Sequence, residues 1–286
     1  MPELPEVETV ARTLRPHVQG CVITGASLLR QSSLHPLSLR PEDLQGCTIT
    51  DVGRRGKLLL LELDATQAAM PHVRGLTGLR LAVHLRMTGR LMTYPENTLP
   101  GMHTRCVFDL VDAQGQKRRL FFDDVRAFGL LLAGTPQTMQ QWSFWRGLGP
   151  EPLELTDAAF SARLDGRNSA IKAVLLDQKV IAGVGNIYAD ECLFAADIDP
   201  RRKAASLTAA QRSRLLSCLK EVLLLSISQC GSSIRDYRDA NGNVGAFQNS
   251  FAVYGRSGQA CRACGRMLEK IRVAGRATVF CPHCQK

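Results

Sequence analysis

The sequence feature that constrains the fold most is a pair of CxxC motifs near the C-terminal end of the 286-residue chain. Cys261 and Cys264 form the first motif, Cys281 and Cys284 form the second, and 16 residues separate them. Four thiolates at this spacing can meet tetrahedrally around Zn²⁺ while the segment between them forms a hairpin. Four cysteines leave no open coordination position, so we predict one structural Zn²⁺ that activates no water.

The positive charge of the chain is concentrated in the same region. Residues 201–286 contain 15 Lys and Arg against 4 Asp and Glu, whereas residues 1–200 contain 21 against 22. This asymmetry favours a polyanionic partner, because each neutralised phosphate releases counterions. The predicted hairpin carries Lys270, Arg272 and Arg276, which suit a phosphate clamp. A basic, solvated surface without a partner is the alternative that the charges leave open.

The remaining cysteines follow no regular spacing and lie in apolar or helical stretches. We predict that they are reduced and mostly buried thiols. No stretch approaches the roughly 20 apolar residues of a membrane helix, so we expect an intracellular protein with no membrane partner. The cysteines in question are Cys21, Cys47, Cys106, Cys192, Cys218 and Cys230.

The apolar pattern predicts two domains and an α+β fold. A helix begins near Pro5, and short strand-like runs follow from about residue 20 to 134, as in a β-sandwich. Glycine and proline mark a linker, and beyond it a long helix has Thr208 and Gln211 in capping-box relation. We therefore predict an N-terminal β-sandwich domain with a leading helix (1–135), a linker (136–152), a helical domain (153–250) and a zinc finger (251–286).

The stretch MPELPEVETV raises a chemical possibility. If Met1 is removed, Pro2 presents a secondary amine whose pKa is low enough for it to be partly neutral near pH 7. Glu6 and Glu8 fall in the first turn of the predicted helix, where the helix dipole alone favours carboxylates. Glu3 precedes the helix, and the dipole does not explain it.

The motifs PELPEVET, GVGNIYADE and RATVFCPHC together resemble formamidopyrimidine-DNA glycosylases over essentially the whole chain. The resemblance implies a bifunctional glycosylase and abasic-site lyase of base excision repair. Such enzymes remove oxidised purines, namely 8-oxoguanine and formamidopyrimidines, from double-stranded DNA and cut abasic sites by β,δ-elimination. It also implies a helix-two-turn-helix motif, a monomer, and a cytoplasmic protein that associates with the nucleoid through its substrate.

The resemblance also assigns catalytic roles. Pro2 attacks the sugar C1′ and forms a covalent iminium, Glu3 is the general acid and base, and Glu6 positions or stabilises the charged intermediate. Lys57 donates a proton during elimination, although by itself it suits a strand-end lysine in solvent. Arg276 binds phosphate and takes part in the δ-elimination.

A second group of residues is assigned to DNA. Acting on a base inside a duplex requires that the base be extruded and the void filled. Met87 and Phe128 each have a rival interpretation as core residues. The void-filling residues are Met87, Arg126 and Phe128, and the residues expected to contact DNA are His103, Arg126, Arg167 and Asn186.

Some positions depart from the family pattern and leave the lesion preference open. Residues 229–256 resemble the loop that covers the flipped base. The departures are Arg86 and Cys230 where glycine is common, Ala127 where a second basic residue is common, Arg167 in place of lysine, and Ala246 in place of an aromatic residue.

Three other functions compete with this interpretation. An endonuclease VIII-like enzyme for oxidised pyrimidines has the same fold, but such relatives commonly begin PEGPE, and Leu4 argues against it. A non-catalytic zinc-ribbon protein that binds damaged DNA would need neither Pro2, Glu3 nor Lys57. A structural β module joined to an RNA-binding ribbon is the third.

Overall fold

The computed structural model describes residues 1–233 and 237–286, and this part of the chain divides into two compact units. The first unit contains Met1–Arg146 and Ser232–Gly245, and the second contains Gly147–Gly231 and Ala246–Lys286. A sheet in the first unit, with helices and a cysteine-rich hairpin in the second, confirms the predicted α+β fold class. The described part of the chain contains no helix with the length and apolarity that a membrane crossing requires.

The first unit begins with helix α1, Leu4–Val18, as the sequence predicts. Pro5 lies in its first turn, where a backbone N–H would have no acceptor within the helix, so the N–H that proline lacks costs no hydrogen bond. Val7, Val10 and Leu14 recur at helical spacing and are fully buried against the sheet core. Burial of this apolar stripe fixes α1, and with it the residues just before the helix.

The strands of the first unit pair in the antiparallel order β5-β7-β6-β1-β2-β3-β4-β8. Two short helices, α2 (Pro136–Gln141) and α3 (Ser143–Arg146), follow the last strand. The strands are β1 (Val22–Leu28), β2 (Thr48–Arg55), β3 (Leu58–Asp64), β4 (Leu79–His84), β5 (Gly89–Pro95), β6 (Thr104–Val111), β7 (Lys117–Asp124) and β8 (Leu130–Gly134).

The two halves of this sheet enclose one core, as in a β-sandwich. Strands β1 and β2 join the halves through the single pair Val22–Thr48. Phe108 and Phe122 from one half share a buried cluster with Leu61 and Val83 from the other. The apolar runs of β1, β3, β4, β6 and β7 are visible in the sequence, whereas β2 and β5 are masked by polar residues and glycine.

Two parts of the chain differ from the domain division predicted from sequence. Residues 136–146 of the expected linker form α2 and α3, because Thr135 caps α2 by accepting the N–H of Thr138. Ser232–Gly245, which we assigned to the helical domain, belongs to the first unit. Hydrogen bonds to α1, described below, explain this placement.

The second unit contains four α-helices and a β-hairpin within its described residues. Thr208 and Gln211 form the predicted capping box of the longest helix, and Leu215, Leu219 and Leu223 form its buried stripe. The elements are α4 (Asp157–Leu164), α5 (Ile171–Leu176), α6 (Asn186–Ala195), α7 (Ala209–Ser228), β9 (Glu269–Val273) and β10 (Arg276–Phe280).

A buried ion pair attaches the hairpin to the helices. Lys172 of α5 and Asp190 of α6 are 0% and 1% exposed, and Nζ lies 2.6 Å from Oδ1. The ammonium also donates to Thr278 Oγ1 at 2.7 Å, and Asp190 Oδ2 accepts the N–H of Val279. Burial raises the pKa of Asp190 to about 6, although Lys172 opposes the shift. Strand β10 is therefore held on both helices by charged groups out of contact with water.

We predict that Lys172→Met lowers the free energy of unfolding of the second unit by about 3 kcal/mol, because it leaves the Asp190 carboxylate buried without its cation. The double variant Lys172→Met/Asp190→Leu should recover part of this loss. Hydrogen exchange of the α6 and β10 amides measures the effect. Equal exchange rates in the single variant and the wild type would contradict it.

Candidate catalytic and DNA-binding residues

The N-terminus of α1 places two carboxylates beside Pro2. Pro2, Glu3 and Glu6 are all buried. Glu6 Oε2 accepts the N–H of Glu3 at 2.9 Å, and Oε1 accepts the N–H of Ser232 at 2.8 Å. With both oxygens engaged by backbone, Glu6 has the contacts of an anchor that fixes Glu3 at the start of the helix.

The same helix holds part of the segment that resembles a lesion-covering loop. The Tyr237 hydroxyl donates to the Glu6 carbonyl at 3.3 Å, and the N–H of Ala240 donates to Thr13 Oγ1 at 3.1 Å. Asn241 Oδ1 lies 2.8 Å from His17 Nε2. Residues 234–236 of this loop lie outside the described residues. The described part on their C-terminal side is thus bound along α1.

Lys57 lies in the two-residue turn between β2 and β3, next to Gly56, whose φ of +56° suits such a hairpin turn. Its side chain is only 6% exposed, so the alternative of a lysine in solvent is wrong. The β3–β4 register pairs Leu58, the residue after Lys57, with His84. Lys57 is therefore a buried cation at the β2–β3 turn, near His84.

His84 is a neutral group that sequence reasoning missed. Burial, together with the nearby charges of Arg86 and Lys57, lowers the pKa of His84 to about 3. Its Nδ1 accepts the N–H of Arg86 at 3.1 Å, which requires that nitrogen to carry no proton. A histidine within the apolar alternation LRLAVHLRM is the signal that could have indicated a buried, uncharged ring.

The three residues assigned to void filling form one cluster on the first unit. Met87 and Phe128 are 41% and 56% exposed, so the rival interpretation of these two residues as core residues is wrong. The Arg126 guanidinium lies 4.8 Å from the centroid of the Phe128 ring, and its Nη1 lies 3.6 Å from Met87 Sδ. An exposed thioether, a cation and an aromatic ring therefore project together from two neighbouring loops.

The remaining residues assigned to DNA contact divide between the units. His103 lies in the first unit, where its carbonyl accepts the N–H of Asp124 at 2.9 Å. Arg167 lies in the second unit, exposed, and its Nε donates to the Arg163 carbonyl at 2.7 Å. Asn186 begins α6, and its Nδ2 donates to the Ala277 carbonyl at 3.0 Å, one residue beyond Arg276. The structure thus brings Asn186 and Arg276 together.

Backbone conformation explains two of the departures from the family pattern. Arg86 and Cys230 have φ angles of +52° and +59°, in the left-handed region that glycine adopts most readily. Ala127 has a φ of +54°. Each of these positions costs about 1 kcal/mol relative to glycine. The chain therefore keeps the turns that glycine would make and adds a guanidinium and a thiol at two of them.

The four C-terminal cysteines fit a zinc ion. The Sγ atoms of Cys261, Cys264, Cys281 and Cys284 all lie within 4.8 Å of one another. The separations are 3.5 Å for Cys264–Cys281 and 4.0 Å for Cys261–Cys284. Tetrahedral Zn–S bonds of about 2.3 Å require sulfur separations of about 3.8 Å. His283 is exposed and stays outside the cluster, so the prediction of one structural Zn²⁺ on these four residues is confirmed.

The zinc hairpin presents two arginines at and beside one turn. Ala274 and Gly275 connect β9 to β10 with φ angles of +49° and +72°, as a two-residue type I′ turn requires. Arg276 follows directly, and Arg272 pairs with Ala277 across the ladder; both arginines are exposed. A rigid turn of this kind can bind phosphate oxygens.

Glu191 of α6 binds the segment that precedes the zinc module. Its carboxylate accepts the N–H groups of Ala252, Val253 and Tyr254 at 2.7–3.0 Å, in the segment that leads into the zinc module. The turn before α6 is organised by Gln178. Gln178 Nε2 donates to the Val184 carbonyl, and Oε1 accepts the N–H of Gly183.

The scattered cysteines are free thiols in the described structure, as predicted. Cys47, Cys106 and Cys192 are buried, and burial raises the pKa of each, to about 11 for Cys47. Cys230 is exposed.

Three family models match the chain. They describe the formamidopyrimidine-DNA glycosylase N-terminal domain over residues 1–131, its H2TH domain over residues 148–238, and a zinc finger found in FPG and IleRS over residues 258–286. The formamidopyrimidine-DNA glycosylase of Nitratidesulfovibrio vulgaris is 42% identical over 100% of both chains.

Solved structures agree with the family models. The crystal structure of the MutM (Fpg) protein from Thermus thermophilus has a TM-score of 0.84 and 40% identity over 99% of this chain and 98% of its own. Lactococcus lactis Fpg is 33% identical. Its mutant complex with Fapy-dG containing DNA has a TM-score of 0.86 over 100% of both chains, and its complex with abasic-site DNA has 0.85 over 99% of both.

We predict that His84 makes the first unit less stable in acid. The unfolded chain binds a proton below pH 6.5 and the folded chain does not until about pH 3, so this contribution to stability is lost as pH falls through that window. Between pH 7 and 4.5 the loss is about 2 to 3 kcal/mol.

The variant His84→Asn keeps an acceptor for the Arg86 N–H but does not titrate, so its stability should vary less over this interval. Urea unfolding followed by tryptophan fluorescence measures the first unit, because both tryptophans, Trp142 and Trp145, lie there. The same pH dependence in variant and wild type would show that His84 is charged in the fold.

We predict that Cys281→Ser removes Zn²⁺ and lowers affinity for duplex DNA at least about tenfold, because the hairpin cations lose their frame. Tryptophan fluorescence should show the first unit still folded. Cys230→Ser, an exposed cysteine outside the cluster, is the matched control and should keep both zinc and affinity. Unchanged DNA affinity in zinc-free protein would refute the clamp.

Proposed function

The chain belongs to the formamidopyrimidine-DNA glycosylase family, and from this premise we propose that Pro2 is the nucleophile with which it excises oxidised purines and cleaves the resulting abasic site. The observation that carries the proposal is the burial of Pro2 and Glu3 at the N-terminus of α1, with Glu6 fixing the Glu3 backbone. Relatives in this family have been solved with Fapy-dG and with abasic-site DNA, which supports the same substrates here.

The chemistry begins at the Pro2 nitrogen after Met1 is removed. The secondary amine is less basic than a lysine side chain, so a useful fraction is neutral near pH 7. Its lone pair forms a bond to C1′ of the damaged nucleotide, and the electrons of the glycosidic bond leave with the base, which takes up a proton. Opening of the sugar gives an iminium between Pro2 and C1′.

Glu3 supplies and removes the protons. As a carboxyl group held next to Pro2, it can protonate the sugar oxygen when the ring opens and accept a proton in later steps. Glu6, whose two oxygens bind backbone N–H groups, positions Glu3 and adds negative charge near the iminium cation. This division rests on the backbone contacts of Glu6 and on position, because Glu3 precedes the helix and Glu6 lies within its first turn.

Lys57 and Arg276 serve the strand cleavage. In β-elimination a proton leaves C2′ and the C3′–O bond breaks, so the 3′ phosphate departs with a negative charge. Lys57 is a buried cation that can stabilise this charge and donate a proton to the leaving phosphate. δ-Elimination then breaks the C5′–O bond. We assign phosphate binding to Arg276 on the zinc hairpin. A guanidinium stays protonated near neutral pH, so it is a poor proton donor but a good ligand for phosphate oxygens.

The second unit and the Met87 cluster bind DNA. Asn186 and Arg276, adjoining through Ala277, hold phosphate beside the lesion. Met87, Arg126 and Phe128 fill the void that the extruded base leaves. His103 and Arg167 contact the DNA backbone, and the positive charge of residues 201–286 adds the electrostatic part of the affinity. The protein acts as a monomer in the cytoplasm, on nucleoid DNA.

The experiment is single-turnover excision of 8-oxoguanine opposite cytosine, compared with excision of thymine glycol. We predict faster removal of 8-oxoguanine. The variant Glu3→Gln should bind the same duplex with unchanged affinity and release base at least about a hundredfold more slowly, because an amide cannot exchange protons with the sugar.

Faster removal of thymine glycol would replace the proposal with the endonuclease VIII-like alternative. Tight binding with no excision of either base, and no cleavage of an abasic site, would favour the non-catalytic DNA-binding alternative.

A further inference from the structure

The residues that fill the void lie on two separate loops. Met87 is on the loop between β4 and β5, whereas Arg126 and Phe128 are on the loop between β7 and β8. Extruding a base costs the free energy of unstacking and unpairing it, and a filling side chain recovers part of this only if it stays in place between the neighbouring bases. The contact that joins the two loops therefore decides whether three side chains act as one wedge.

One hydroxyl joins them. Thr88, the residue after Met87, donates through Oγ1 to Asp124 Oδ1 at 2.5 Å and accepts the N–H of Arg126 at 3.0 Å. The other oxygen of Asp124 accepts the N–H of Gly129 at 2.6 Å, at the far end of the second loop. The Thr88 hydroxyl and the buried Asp124 carboxylate thus connect the first loop to both ends of the second.

The support beneath this link is rigid. The buried Arg105 guanidinium donates through Nε and Nη2 to the Asp124 carbonyl at 2.8 and 2.6 Å. Gly129 has no space for a side chain, since an added Cβ would lie 2.5 Å from the Phe122 ring and 2.9 Å from the Asp124 carboxylate. Asp124 is therefore anchored at its carbonyl by a buried guanidinium and packed closely against Gly129 at its carboxylate.

We propose that Thr88 is a positioning residue for base extrusion: its hydroxyl couples the Met87 loop to the Arg126–Phe128 loop, so that the three side chains enter the duplex as one body. The inference rests on the proposed function, because it requires that these side chains fill a void. Thr88 acts through its neighbours and not on the reacting sugar. Loss of the Thr88 hydroxyl should therefore slow reaction on a duplex, where a base must be extruded, and leave reaction on a single strand unchanged.

The test uses Thr88→Val, which keeps the branched shape and removes the hydroxyl, and Thr88→Ser, which restores the hydroxyl. On a duplex with 8-oxoguanine opposite cytosine, single-turnover excision by Thr88→Val should fall about tenfold, the effect of one lost hydrogen bond that leaves a buried acceptor unpaired. Borohydride trapping of a single-stranded abasic oligonucleotide should be unchanged. Thr88→Ser should match the wild type on both substrates.

A second variant pair tests whether the wedge acts as a unit. Phe128→Ala removes the tip of the wedge and should itself slow excision on the duplex. In that background Thr88→Val should slow excision much less than about tenfold, because the group that it positions is already missing. Full additivity would contradict coupling through Thr88.

The outcomes separate this inference from the proposed function. A wild-type protein that traps no abasic DNA overturns both. Equal losses on duplex and single strand in Thr88→Val would show a general structural role and overturn the inference alone, as would duplex excision at the wild-type rate. Tryptophan fluorescence of each variant shows whether the first unit is folded, and a rate loss that accompanies its unfolding counts as the general structural role.

Discussion

The proposed catalytic site depends on the Glu6 carboxylate. Its two oxygens bind the N–H of Glu3, just before α1, and the N–H of Ser232, a residue 226 positions further along the chain. The burial of the α1 stripe fixes the helix, and Glu6 transfers that rigidity to the backbone of Glu3, next to Pro2. A terminal amine would otherwise belong to the most mobile part of a chain. Here a buried carboxylate fixes the backbone next to Pro2, as the proposed nucleophile requires.

In the second unit, the zinc hairpin also has to be held in a defined position. A hairpin of about 25 residues cannot bury enough apolar surface to be rigid by itself. The phosphate binding that we propose also requires its exposed face to stay cationic. The zinc ion holds one end, and the buried Lys172–Asp190 pair holds strand β10 at the other. Because the Ala277 carbonyl accepts from both Lys172 and Asn186, the residue that precedes it, Arg276, has a fixed position relative to the start of α6.

Periodicity and ligand spacing were sufficient to predict α1, α7 with its capping box, the apolar strands and the zinc site, because each is encoded in residues close in sequence. The contacts between distant residues were not predictable in this way. Glu6 with Ser232, Thr88 with Asp124 and Lys172 with Asp190 are polar pairs whose partners are set only by the packed fold. The same limit applies to Lys57 and His84: a lysine at a hairpin turn usually faces water, and only tertiary packing buries it beside a neutral ring. The positive φ angles at Arg86 and Cys230 show why glycine is the common choice there, which the motif alone could not explain.

The central claim is that the amine of Pro2, freed by removal of Met1, forms the covalent bond to DNA. The most direct measurement is mass spectrometry of the peptide that carries DNA after borohydride reduction of the reacting wild-type protein with an 8-oxoguanine duplex. The structure predicts that the modified peptide begins with Pro2 and that the reduced bond is to its nitrogen. A modified Lys57, or a covalent bond formed by protein that still carries Met1, would contradict the account.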